Sequence, residues 1–172
     1  RLLTIARREL AGAANVEFVA KDALGGPLHS LVPEVGAALQ QAQASGGRGL
    51  LVANLPYSIS GPLVAEITAL PTLPDRIVLL VQKELAQRLA ASPSTPDYGC
   101  LSVLVQSLYR ATLLRDVSPQ VFRPRPRVVS AVLRLERRED AGPDLAEAAA
   151  RRQFGAFVRA LFQQRRKVLR TT

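Results

Sequence analysis

The chain has no methionine, one cysteine and one histidine in its 172 residues, and each scarcity closes off a kind of chemistry. With Cys100 alone, neither a disulfide framework nor a thiolate metal site can be assembled within the chain. With His29 alone, histidine-based metal or triad chemistry is set aside, and no metal is expected. No uninterrupted apolar run approaches the roughly 20 residues that a membrane-crossing helix needs. The opening Arg1-Leu2-Leu3-Thr4-Ile5 lacks the layout of a secretory signal. The expectation is a cytoplasmic protein with no membrane partner. A complete translation product begins with methionine, so the chain is expected to be a fragment whose missing part carries some of the chemistry.

What is present is a chain that can build a core: 48% of it is apolar and 22% charged, the balance of a globular domain. The formal charge is +9, and it is unevenly spread. Residues 1–114 carry nine Lys/Arg against eight Asp/Glu, whereas residues 115–172 carry fourteen against six. A one-sided basic field favours a polyanion, most often nucleic acid, through counterion release and steering. The alternative is a solvated arginine-rich surface, since twenty of the twenty-three cations are Arg.

Periodicity predicts alternating helices and strands. Helices are expected at residues 1–11, weakly within 36–49, and at 62–70 and 84–91; strands are expected at 16–19, 49–54, 76–81 and 128–135. The unbroken apolar run at 76–81 reads as a strand covered on both faces. Residues 92–97 read as a loop, and periodicity leaves 101–109 open between helix and strand. Residues 151–170 read as one amphipathic helix or two, with Phe154, Phe157, Val158, Leu161 and Phe162 on one side and arginines on the other. Strands separated by helices imply an α/β fold with a mostly parallel sheet.

In such sheets ligands bind beyond the carboxyl ends of the strands. Asp22 and Asn54 stand at two such ends. Asp22 is equally a turn or cap residue. Asn54 opens Asn54-Leu55-Pro56-Tyr57, which has a mechanical reading. An aromatic amine is a poor nucleophile because its lone pair is delocalised into the ring. Two acceptors aimed at its N–H bonds favour the rehybridised nitrogen: the Asn54 side-chain oxygen and the Leu55 carbonyl, the latter presented because Pro56 holds Leu55 extended. Tyr57 then offers a flat face to a base taken out of its stack. The competing reading is a tight strand-to-helix turn with a buried tyrosine.

The run Asn54-Leu55-Pro56-Tyr57-Ser58-Ile59-Ser60-Gly61-Pro62-Leu63 resembles the acceptor-site motif of the small-subunit ribosomal RNA adenine N6,N6-dimethyltransferases, the KsgA family. Four further segments are similar to that family in the same order: 81–89, 98–103, the proline-rich 121–132, and 162–170 with its Gln164-Arg165-Arg166-Lys167. The resemblance implies a Rossmann-like S-adenosylmethionine-dependent methyltransferase domain over 1–140, and the start of a helical RNA-binding domain over 141–172. It implies that Asp22 and Ala23 contact the cofactor adenine and that Asn54 lies between cofactor and acceptor amine. Tyr57 and Phe122 would sandwich the target adenine. The implied partner is small-subunit rRNA or the small ribosomal subunit, met by a monomer, with Arg123, Arg125, Arg127, Arg165, Arg166 and Lys167 as candidate phosphate contacts. The prolines around Phe122 independently argue for a stiffened loop, and a core aromatic is the alternative for that residue.

Departures from the family pattern are the glycine-rich loop after the first strand and the acidic residue ending the second, neither of which is in the sequence; it is expected to begin downstream of both. Val129 stands where Asp is common, and Gly61 where Thr is common. Three competing readings are a large-subunit rRNA dimethyltransferase of the macrolide-resistance type, a non-catalytic RNA-binding or transcription-factor relative, and a generic amino-methyltransferase acting on DNA or protein.

Overall fold

The computed structural model describes residues 2–25 and 30–163. Helix α1 (Leu2–Glu9) is followed by an extended stretch, α2 (Pro33–Ala44), strand β1 (Leu50–Asn54), α3 (Ser60–Thr68), β2 (Arg76–Gln82), α4 (Lys83–Ala90), α5 (Cys100–Gln106), β3 (Tyr109–Val117), β4 (Ser130–Arg137) and α6 (Ala148–Gln163). Short 3₁₀ turns at Pro119–Val121 and Pro143–Leu145 punctuate the last connections. Among the described residues no helix is long and apolar enough to cross a membrane.

The four strands lie in the order β1-β2-β4-β3. Only β1 and β2 run parallel; β4 is antiparallel to both β2 and β3. The expected mostly parallel sheet is therefore corrected to one parallel and two antiparallel pairings. The reason lies in the β3-to-β4 connection, residues 118–129, which contains no crossover helix and so returns the chain antiparallel. The expected strand at 16–19 is also absent: the segment has no regular secondary structure and pairs with no strand among the described residues, and Val16 and Val19 are exposed. The undecided stretch 101–109 resolves as helix α5 followed by the first residue of β3.

One face of the sheet is the core. Ile77, Leu79 and Val81 of β2 alternate with half-buried residues, and Ala131, Leu133 and Leu135 of β4 do the same beside them. Leu63, Val64 and Ile67 of α3, Ala86 and Leu89 of α4 and Val105 of α5 complete this layer. Each full burial of an aliphatic side chain contributes about 1.5–3 kcal/mol. The other face carries Arg76, Arg134 and Glu136, with Arg76 Nη2 donating to Glu136 Oε1 at 3.0 Å. The apolar run at 76–81 is thus covered on one face rather than both. On β1, Leu50 is 60% and Val52 78% exposed.

Helix α6 is a single helix as far as it is described, and Phe154, Val158, Leu161 and Phe162 of the expected apolar side are buried or half-buried; the departures are Phe157 and an arginine, Arg151, on the inner side. Arg151, Gly155 and Val158 are buried at intervals of four and three, whereas Phe157 is exposed. Arg151 donates to the carbonyls of Thr68 (3.1 Å), Leu145 (2.8 Å), Pro71 (3.2 Å), Leu70 and Ala146. Its guanidinium thereby satisfies the last carbonyl of α3 and two just beyond it, and ties α6 to them.

Candidate active site

Strand β1 ends where Pro56 removes a backbone donor. Leu55 N–H still donates to Leu80 O at 3.1 Å, so the chain leaves the sheet one residue later than the strand itself. The turn is then closed from below: Pro56 O accepts from Ile59 N (3.2 Å) and from Ser60 Oγ (2.8 Å). Leu55 is buried while Asn54 and Pro56 on either side are exposed. Among the described residues no hydrogen bond reaches the Asn54 side chain or the Leu55 carbonyl. Both acceptors are left facing whatever occupies the end of the strand.

The opposite wall comes from the β3–β4 loop, more than sixty residues away in sequence. Ser118 caps its 3₁₀ turn by accepting from Gln120 N at 3.3 Å, and Phe122 N–H donates to Pro119 O at 3.3 Å. The Arg123–Pro124 peptide is cis. The result is a cleft of about 300 Å³ lined by Asn54, Leu55, Pro56, Tyr57, Phe122, Pro124 and Pro126. Two aromatic rings, three prolines, a leucine and one amide make an almost uncharged slot. Such a lining suits a flat, neutral group that offers hydrogen-bond donors to Asn54 and Leu55, and it would penalise a charged one by desolvation.

Tyr57 is fixed in this wall by a 2.6 Å hydrogen bond between its hydroxyl and Ser130 Oγ, and Ser130 is fully buried at the start of β4. Lys83 secures the loop from behind, donating from its backbone N–H to Val129 O (3.0 Å) and from Nζ to Asp116 Oδ2 (2.6 Å). Sequence reasoning gave no role to Ser130 or Lys83. A hydroxyl at a strand start and a lysine at a helix start carry no signal until the fold brings their partners near.

The structure therefore brings Asn54, Leu55, Pro56, Tyr57 and Phe122 together, and does not bring Asp22 or Ala23 into the same cleft. Asp22 is exposed and forms a local turn, with Oδ1 accepting from Leu24 N at 3.0 Å and its carbonyl from Gly25 N at 2.9 Å. Ala23 O accepts from Val32 N at 3.0 Å, and Ala23 packs on the core edge. Arg123, Arg125 and Arg127 are exposed along the loop, and Arg123 Nη1 donates back to Phe122 O at 3.2 Å. Arg165, Arg166 and Lys167 lie outside the described residues. Among the described residues no three His, Cys, Asp or Glu side chains are grouped to hold a metal ion.

A family model described as Ribosomal RNA adenine dimethylase matches residues 1–172. A Ribosomal RNA small subunit methyltransferase A of Bordetella avium is 44% identical over 125 residues, 72% of this chain and 47% of that protein. A protein of the same name from Geobacillus thermodenitrificans is 38% identical over 170 residues, 98% of this chain and 54% of that protein. The chain spans about half the length of the curated relatives it matches. Among solved structures, a dimethyladenosine transferase from Plasmodium falciparum superposes with a TM-score of 0.73 at 24% identity, over 98% of this chain and 54% of that one. The 23S rRNA methyltransferase ErmE superposes with a TM-score of 0.60 at 27% identity, over 95% and 58%. The first of these likenesses is one of fold.

Proposed function

The chain belongs to the ribosomal RNA adenine dimethylase family, and from that membership we propose that it carries the acceptor site of an enzyme that dimethylates N6 of two adjacent adenines near the 3′ end of small-subunit rRNA. The observation that carries this reading is the uncharged cleft joining Asn54-Leu55-Pro56-Tyr57 to Phe122. An extruded adenine offers two π-faces and an exocyclic amine with two N–H bonds, which these walls and these two acceptors complement. Asn54 Oδ1 and Leu55 O accept from that amine and steer its lone pair out of conjugation. Tyr57 and Phe122 hold the ring. Rate enhancement then comes from positioning and from the acceptor pair, without a strong general base.

The methyl donor of this reading is S-adenosylmethionine. When bound it supplies a methyl group on a positively charged sulfur, so each transfer forms one N–C bond, breaks one S–C bond and releases one proton from N6. The residues present fit such a donor: the exposed Asp22 has one carboxylate oxygen engaged by Leu24 N, leaving the other to accept from the donor's own adenine amine, with Ala23 beside it. Asn54 would stand between donor and acceptor. The exposed Arg123, Arg125 and Arg127 on the loop that carries Phe122 are suited to phosphates flanking the flipped base. Arg165, Arg166 and Lys167 extend the proposed RNA contacts into a helical region that we take to begin near 141, and the enzyme is proposed to act as a monomer.

The test is transfer of labelled methyl to under-methylated small ribosomal subunits, with the product nucleoside identified. Asn54→Ala is expected to lower transfer by about 10²–10³-fold, the cost of removing one positioned polar group from a reacting centre. RNA affinity should hold, because the side chain meets the amine and not the backbone. Equal loss of both would refute the assignment. Charge reversal at Arg165 and Arg166 should instead weaken RNA binding and flatten its salt dependence.

A further inference from the structure

We propose that Ser130 is a positioning residue of this site, acting through the Tyr57 hydroxyl to set the width of the slot between the Tyr57 and Phe122 rings. The inference rests on the reading that this slot holds the target adenine.

Three observations carry it. Ser130 has no exposed surface, yet its hydroxyl lies 2.6 Å from that of Tyr57, a residue 73 positions earlier on another element. Burial obliges the Ser130 hydroxyl to find a partner, and the one it has is the hydroxyl of the half-buried Tyr57. The pairing of the two hydroxyls therefore fixes one specific distance between the β1 turn and β4. Second, Ser130 sits in a strand paired on both edges. It is held in register on both sides, opposite Gln82 of β2 and opposite Val117 of β3, where the two stems of the Phe122 loop meet. Third, the stems themselves are pinned by one residue, Lys83, which donates through its backbone to Val129 and through its ammonium to Asp116. Phe122 is thus carried on a loop with a fixed base. The only hydrogen bond among the described residues from that base to the aromatic on the opposite wall is Tyr57–Ser130.

The consequence is specific to a reaction run twice on one nitrogen. After the first transfer the amine has one N–H bond left, so Asn54 and Leu55 retain half of their grip and the ring sandwich must keep the base in place for the second. A slot of fixed width retains the monomethylated base; a Tyr57 ring free to swing releases it. Loss of the tether should therefore change the ratio of products as well as the rate.

The experiment compares wild type, Ser130→Ala, Tyr57→Phe and the double variant in the gene product as encoded. It measures kcat and KM on under-methylated small ribosomal subunits and the ratio of N6-monomethyl- to N6,N6-dimethyladenosine, with melting temperatures alongside. Each single variant is expected to lose about tenfold in kcat with KM little changed, the scale on which small misplacements act. Both should accumulate monomethyladenosine, and the double variant should be no worse than either single, because both remove the same bond. Wild-type kcat and product ratio in Ser130→Ala would overturn the proposal. So would independent, multiplying defects, or a rate loss that follows the folded fraction with the product ratio unmoved. No methyl transfer to adenine by the wild type would instead overturn the functional reading beneath it.

Discussion

Arg151 and the three arginines of the β3–β4 loop have the same side chain in opposite surroundings. Arg151 is 5% exposed and spends its donors on five carbonyls, three of them at and just beyond the end of α3. Burial holds its pKa below the usual guanidinium value, an effect of desolvation that nearby Tyr109 and Glu147 only partly offset. Arg123, Arg125 and Arg127 are exposed, and among the described residues only Arg123 of the three donates to carbonyls, those of Gln120 and Phe122 in its own loop. A guanidinium turned inward builds the fold, because its five N–H donors can close a largely buried helix end. The same group turned outward adds little to stability and remains available to an anion.

Breaking the inward arginine should have the largest effect. Arg151→Met leaves buried carbonyls without donors and is expected to cost about 3 kcal/mol, lowering the melting temperature on the order of 10 °C. RNA affinity of the protein that remains folded should keep its salt dependence. The outward set should do the reverse. Replacing Arg123, Arg125 and Arg127 together by Gln is expected to leave stability within about 0.5 kcal/mol. The slope of log affinity against log salt should become shallower by about 2, since each phosphate of a single strand that a cation neutralises adds about 0.7 to it. An unchanged slope would return these arginines to a solvated surface. The smallest effect sharpens the contrast from a third position. Arg76 is half-exposed on the open face of the sheet and paired with Glu136 at 3.0 Å. Arg76→Met should shift stability by no more than about 1 kcal/mol in thermal or denaturant unfolding, and RNA affinity hardly at all.

The outward arginines were legible in the sequence and the inward one was not. Counting charge along the chain located the basic third, but amphipathic periodicity assigns every arginine of a helix to solvent, and Arg151 breaks that rule through carbonyls contributed by residues 68–71. The strand at Tyr109–Val117 escaped for a related reason. A bulge between Leu113 and Arg115 interrupts its alternation and leaves Leu114 exposed, so its pattern of period two dissolves halfway along. The segment 16–19 shows the opposite failure: local β-branched character suggests a strand, but pairing requires a neighbour that local sequence does not supply. At the cleft, the proline following Asn54-Leu55 and the prolines flanking Phe122 announced two stiff turns. What they could not announce is that Ser130 would close the distance between them.

The place of β4 in the sheet has a consequence for how the protein is made. The last of the described strands lies between β2 and β3, so β3 has no partner among the described residues until β4 arrives. On a ribosome releasing the chain from its N-terminus, β1, β2 and their helices can assemble while the Tyr57 hydroxyl waits for a serine 73 residues behind it. Pairings of such long sequence separation form late and slowly. The aromatic cleft is therefore finished only when β4 slides into the gap left for it, after synthesis has passed residue 137.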